Sequence, residues 1–143
     1  FFSIYNPSVV PKLYQKLDLG VLRAQDNRAF LYVYSFILSI SILKAVLFYV
    51  VAMLATKIDI SRPFSDYAYG KIAQISYCTL SIGLLSYIAR QWVRTISFNE
   101  QATELNQFWA DSQAYILMAA VIYVIATIFK KGLEMQHEND LTV

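Results

Sequence analysis

The sequence predicts an all-α integral membrane protein, a helical bundle that forms a single membrane domain with three visible transmembrane helices. Hydrophobic residues make up 57% of its 143 residues and charged residues 15%, whereas soluble domains average about 45–50% apolar and about 25% charged residues. Three apolar runs reach the length of about 20 residues that a helix needs to cross a bilayer. None contains proline. Because backbone groups in lipid must bond within their own segment, each run is predicted to be a helix.

The N-terminal segment, residues 1–28, is predicted to be interfacial or extracytoplasmic. Pro11 can begin a short helix in which Leu13 and Leu17 share one face, with lysines nearby. Such an amphipathic helix would lie on the membrane surface. An ordinary loop is the alternative, and the sequence leaves both open.

The first apolar run, residues 29–55, predicts a helix over 29–56. Asp26 or Asn27 precedes it and is a residue type that caps helix N-termini. The run is longer than a bilayer requires, so this helix is expected to tilt or to protrude from the membrane.

The second apolar run, residues 72–93, lies within a predicted helix over 66–94, which Ser65 can cap. Small and hydroxyl-bearing residues recur along this run at steps of three and four. Such residues let helix backbones approach closely and bond to one another in a membrane. The predicted helix-packing positions are Ser76, Thr79 and Gly83.

The third apolar run, residues 108–129, predicts a helix over 108–136, followed by a C-terminal tail at 137–143. Trp92 and Trp109 lie near run ends, as interfacial aromatic residues do. Short polar links between the runs predict that sequential helices pack antiparallel. Lysines and arginines flank the runs almost evenly on both sides, so charge alone does not set the orientation.

Lys44 lies well inside the first apolar run. A charge at the bilayer centre costs at least about 2.5–3.5 kcal/mol on insertion scales. The side chain can reach the boundary, be held by oxygens of neighbouring helices, or belong to an ion, proton or ligand site, and all three explanations stay open. The candidate intramembrane polar site comprises Lys44, Ser81, Ser86, Tyr87 and Tyr115.

Several kinds of chemistry have no support in the sequence. A net charge of +2 is too small to indicate a nucleic-acid partner. The single cysteine, Cys78, forms no internal disulfide and is expected to be a small buried filler. His137, the one histidine, lies among acids in the tail, which is weak support for a metal site. With no nucleophile–base pair and no phosphate loop, the sequence predicts no enzyme, no cofactor and no metal site.

The C-terminal stretch carries a family resemblance. The letters IFKKG at 128–132 and ENDLTV at 138–143, with Pro63-Phe64-Ser65 one helix earlier, resemble an uncharacterised bacterial membrane family catalogued as domain of unknown function 2975. The resemblance covers the three apolar runs and the tail. It implies a multi-pass protein of the bacterial cytoplasmic (inner) membrane with four helices, so that Phe1 and Phe2 would end a first helix. It also implies a cytoplasmic Pro-Phe loop and tail, and genes for small regulators nearby.

The family resemblance does not decide between two possible functions. The leading interpretation is a non-enzymatic regulatory or accessory membrane subunit of unknown molecular activity. The alternative is a small transporter or channel component with Lys44 in its pathway. The expected partners are the lipid bilayer and either a second protein or further copies of this chain.

The tail is predicted to contact the loop before the second helix. The third helix should continue to about Glu138 and then turn, bringing Leu141 and Val143 back onto Pro63 and Phe64. Tail acids should approach Arg62, Lys57 or Lys71, although exposed ion pairs add only about 0–1 kcal/mol each. The candidate cytoplasmic recognition surface comprises Arg62, Pro63, Phe64, Glu138, Asn139, Asp140, Leu141 and Val143.

Overall fold

The computed structural model describes residues 27–58, 64–96 and 110–141. Within these ranges the chain forms three helices and no strand, which confirms the all-α prediction. The helices are α1 (Asn27–Lys57), α2 (Asp66–Ile96) and α3 (Ser112–Leu141). Each is long and apolar enough to cross a membrane. The predicted surface helix before residue 27, and the positions of Arg62, Pro63, Trp109 and Val143, lie outside the described residues.

Helix α3 differs most from its predicted bounds. It begins at Ser112 rather than at 108, directly after Asp111, a residue type that favours the position before a helix. The predicted turn after Glu138 is wrong, because the helix continues to Leu141. Gly132 keeps a helical backbone rather than ending the helix, and no described residue has a positive φ. Good helix formers such as glutamate, methionine and glutamine then carry the helix onward.

The contacts divide the chain into two compact units, each of which is described separately. The first contains Phe1–Ile40 and Leu85–Asp111, and the second contains Ser41–Leu84 and Ser112–Val143. In the described part of the first unit, the beginning of α1 packs against the end of α2. The ring of Trp92 lies edge-on to Tyr32, with centroids 5.0 Å apart, and 6.4 Å from the ring of Phe36.

The second unit packs the end of α1 and the beginning of α2 together with α3. The Tyr67 hydroxyl donates to the Met53 carbonyl at 3.1 Å and joins α1 to α2. Helices α2 and α3 run antiparallel, because Ser76 bonds to Ala119 whereas Gly83, further along α2, meets Ser112 at the start of α3. The buried apolar side chains of this unit include Val50, Ala68, Ile72, Ile75, Ile82, Ala119, Ala126 and Leu133.

Candidate functional site

Gly83 is a point of close approach between α2 and α3. A Cβ atom there would lie 2.7 Å from Ile116 Cγ1, 3.1 Å from the Ile116 nitrogen and 3.2 Å from the Ser112 carbonyl oxygen. Two of these atoms belong to the backbone of α3, so a side chain at this position requires the helices to separate. The glycine therefore permits the close approach of α2 and α3 at this position.

Ser76 and Thr79 use their hydroxyls differently, although both are buried. The Ser76 hydroxyl donates to the Ala119 carbonyl at 2.9 Å and so links α2 to α3. The Thr79 hydroxyl donates to the Ile75 carbonyl of its own helix at 2.8 Å. Of the three predicted packing positions, Ser76 supplies the bond between helices, Gly83 permits the close approach, and Thr79 is a buried filler that is 1% exposed.

Lys44 lies near the beginning of α3 rather than near its middle. Its ammonium is 5.6 Å from the centroid of the Tyr115 ring, within the range of a cation–π interaction. The stretch of α3 from Ser112 to Phe129 is about 26 Å long at the rise of an α-helix, which is close to the thickness of a bilayer core. Tyr115 lies one turn inside this stretch. The half-buried lysine is therefore close to one end of the apolar segment of α3.

The remaining members of the candidate polar site have separate surroundings. The Ser81 hydroxyl donates to Tyr77 of its own helix at 2.9 Å. Ser86 is buried and Tyr87 is exposed, and both belong to the first unit. Within the second unit, the structure brings together Lys44 and Tyr115 from this group.

Phe64 packs onto the backbone of α3 just before α2 begins. Its ring centroid lies 5.3 Å from that of Phe129, and a Cβ on Gly132 would lie 2.6 Å from the Phe64 ring. The sequence predicted contact between Phe64 and the tail, whereas the described partners of Phe64 on α3 lie earlier in the helix. The side chains of Asp140, Leu141 and Val143 lie outside the described residues. Phe129 and Gly132, one turn apart on α3, form a notch for the ring. An aromatic residue and a glycine at this spacing are the sequence signal that could have identified the contact.

The residues at the start of α2 contact both α3 and α1. The Ser65 hydroxyl accepts a hydrogen bond from the Ala68 nitrogen at 3.2 Å, as a helix cap does. Phe64 contacts α3, and Tyr67 bonds to α1. Sequence reasoning missed Tyr67, since a tyrosine near a membrane boundary is common enough to pass as a generic interfacial residue.

Helix α3 continues beyond its apolar segment as a polar helix, residues 130–141, which we call the α3 extension. Gly132 and Leu133 are buried, so one side of the extension is packed. Its other side exposes Lys130, Lys131, Glu134, Met135, His137, Glu138 and Asn139. The part of the chain that the structure describes contains no group of three or more residues arranged to hold a metal ion.

Comparison with known proteins yields one family. A family model described as "Protein of unknown function (DUF2975)" matches residues 4–143. No curated protein and no solved structure matches the chain.

Proposed function

The chain belongs to the DUF2975 family of unknown function, and from that premise we propose that it is a non-enzymatic regulatory or accessory subunit of the bacterial cytoplasmic membrane. The observation that supports this role best is the α3 extension. At the rise of an α-helix it projects about 17 Å beyond the apolar segment. A helix of this length outside the lipid gives a fixed surface on which a partner protein can dock.

The packing of Phe64 on Gly132 makes this surface rigid. The ring fills a notch in the first turn of the extension and ties the extension to the beginning of α2. Docking a preformed helix costs less conformational entropy than ordering a flexible tail. The exposed side of the extension combines charged residues with Met135, which is 60% exposed, and this mixture suits a protein interface with an adaptable apolar centre.

Site-specific photo-crosslinking in native membranes tests the proposal. A photoreactive residue at Met135 or His137, both exposed on the extension, should give one discrete crosslinked species that mass spectrometry identifies as a protein. The same residue at Ile128, exposed on the apolar segment of α3, is the matched control and should give no such species. Deletion of 139–143 should reduce the crosslink while membrane insertion survives. Equal crosslinking at Met135 and Ile128 contradicts the proposal.

A small transporter or channel component is the second candidate, because Lys44 is a half-buried cation within a helix that can cross a membrane. Its contact with Tyr115 supports an anchoring role instead of a place in a pathway. Ion or solute flux into proteoliposomes that Lys44→Met abolishes would support the transporter. Flux that is absent, or the same in both proteins, supports the accessory subunit.

A further inference from the structure

Two lysines flank Tyr67 where α1 ends and α2 begins. Tyr67 reaches across to α1 and bonds to the Met53 carbonyl at 3.1 Å. Lys57 lies four residues beyond Met53 in the last turn of α1 and is exposed. Residues four apart share a face of a helix, so Lys57 lies one turn outward from the contact that Tyr67 makes.

Lys71 lies near Tyr67 on α2 itself. Its ammonium lies 5.9 Å from the centroid of the Tyr67 ring, one turn earlier in α2. It also donates to the Gln74 side chain at 3.1 Å. The ammonium therefore lies beside the first turns of α2, near both the Tyr67 ring and the Gln74 side chain.

The local electrostatics favour an anion beside Tyr67. The N-terminus of α2 carries the positive end of the helix dipole, and the two lysines add two full charges. Asp66 is the acidic residue in the first turn of α2. It is adjacent to Tyr67 in sequence, which places it about 100° around the helix. Asp66 therefore offsets part of this charge without occupying the same face.

We propose that Lys57 and Lys71, beside the Tyr67–Met53 contact, bind the phosphate headgroup of an anionic phospholipid. The surface next to them indicates a lipid rather than a free phosphate. Tyr49 and Val46 precede Met53 by one and two turns on the same face of α1, and they are 64% and 40% exposed. They extend an apolar stripe inward from the lysines, along which an acyl chain can lie. Basic sites at the ends of membrane helices are a recognised mode of lipid headgroup binding.

Native mass spectrometry of the full chain in a maltoside detergent tests this site. The protein is titrated with phosphatidylglycerol, and in parallel with phosphatidylcholine, which has the same phosphate but no net charge. The proposal expects the first bound lipid to be phosphatidylglycerol. The double change of Lys57→Gln with Lys71→Gln should weaken that binding about 30-fold, the product of about fivefold for each lysine. Arginine at both positions should restore it.

The matched control is Lys130→Gln with Lys131→Gln, which removes the same charge from α3 on the side of the Phe64 contact. It should change the affinity less than twofold, roughly, because these lysines do not flank Tyr67. Equal weakening by the two pairs would show a general charge effect and overturn the proposal. Lys57→Gln alone, at an exposed position, keeps the test decisive if the double variant unfolds, with about a fivefold loss expected. Competition by glycerol 3-phosphate at the concentrations where the lipid binds would identify a site for soluble phosphate and overturn the lipid assignment.

Discussion

The two glycines of α2 differ in what surrounds them. Gly83 faces the backbone of α3 at contact distance, whereas a Cβ on Gly70 would meet nothing within 4 Å. An alanine in a helix interior is favoured over glycine by about 1 kcal/mol through propensity alone. Only packing can reverse this preference. Alanine substitutions at Gly70 and Gly83 therefore distinguish the effect of helix propensity from the effect of packing within one helix.

Gly83→Ala should therefore destabilise the protein by about 1 kcal/mol or more, since overpacking outweighs the gain in propensity. Gly70→Ala should leave stability unchanged or raise it by up to about 1 kcal/mol. Helix content followed by circular dichroism during unfolding in detergent measures both variants. Stabilisation by Gly83→Ala would show that α2 and α3 do not approach closely at this point.

The hydroxyl of Ser76 gives a second prediction at this scale. Ser76→Ala removes the bond to the Ala119 carbonyl, which is buried and spans 43 positions in the sequence. Bonds between membrane helices contribute about 0.6 kcal/mol on average, so a loss near this size is expected in the same unfolding measurement. Thr95→Ala is the control, because the Thr95 hydroxyl is exposed and bonds to its own helix, and it should have a smaller effect.

Phe64 and Gly132 join the beginning of α2 to the α3 extension. Gly132→Ala places a methyl group within 3 Å of the Phe64 ring and should cost about 1 kcal/mol. In a Phe64→Ala background, the same change meets no ring and should become neutral or stabilising through helix propensity. A double-mutant cycle measured by unfolding in detergent reports this coupling. Additive effects of the two substitutions would rule out direct contact.

The sequence could predict the helices more readily than their contacts. Three long apolar runs without proline leave the backbone few alternatives in lipid, which is why α1 and α2 could be predicted to within two residues at each end. Helix α3 was harder, because Gly132 and Asn139 resemble ending signals yet both remain helical. The partner of Phe64 could not be predicted, since its ring can fill any apolar notch at the same depth in the membrane as the start of α2. Burial of Ser76 and Gly83 followed from their spacing, whereas the Tyr67–Met53 bond uses a backbone carbonyl that no side-chain pattern marks.

The exposed apolar side chains of the three helices indicate where lipid surrounds the protein. Along α3, Leu117, Val124 and Ile128 are 71%, 57% and 58% exposed, and a water-facing surface of this kind would be unfavourable by roughly 25 cal/mol for each Å² of apolar area. Lys130 follows directly after the last apolar residues. We therefore expect one membrane boundary close to Lys130, with the α3 extension in water.

Spin labels along α3 test this depth assignment. A label at Leu117, Val124 or Ile128 should collide readily with oxygen, which concentrates in lipid, and poorly with a water-soluble nickel chelate. A label at Met135 should show the opposite ratio, because it lies more than one turn beyond Lys130 and is exposed. The oxygen-to-nickel ratio should be higher at Leu117 and Val124 than at Ile128, since both lie closer to the middle of the stretch from Ser112 to Phe129. A maximum of this ratio near Met135 would mean that the extension lies inside the bilayer, with its charged residues facing lipid. That result would contradict both the boundary at Lys130 and the role of the extension in docking a partner.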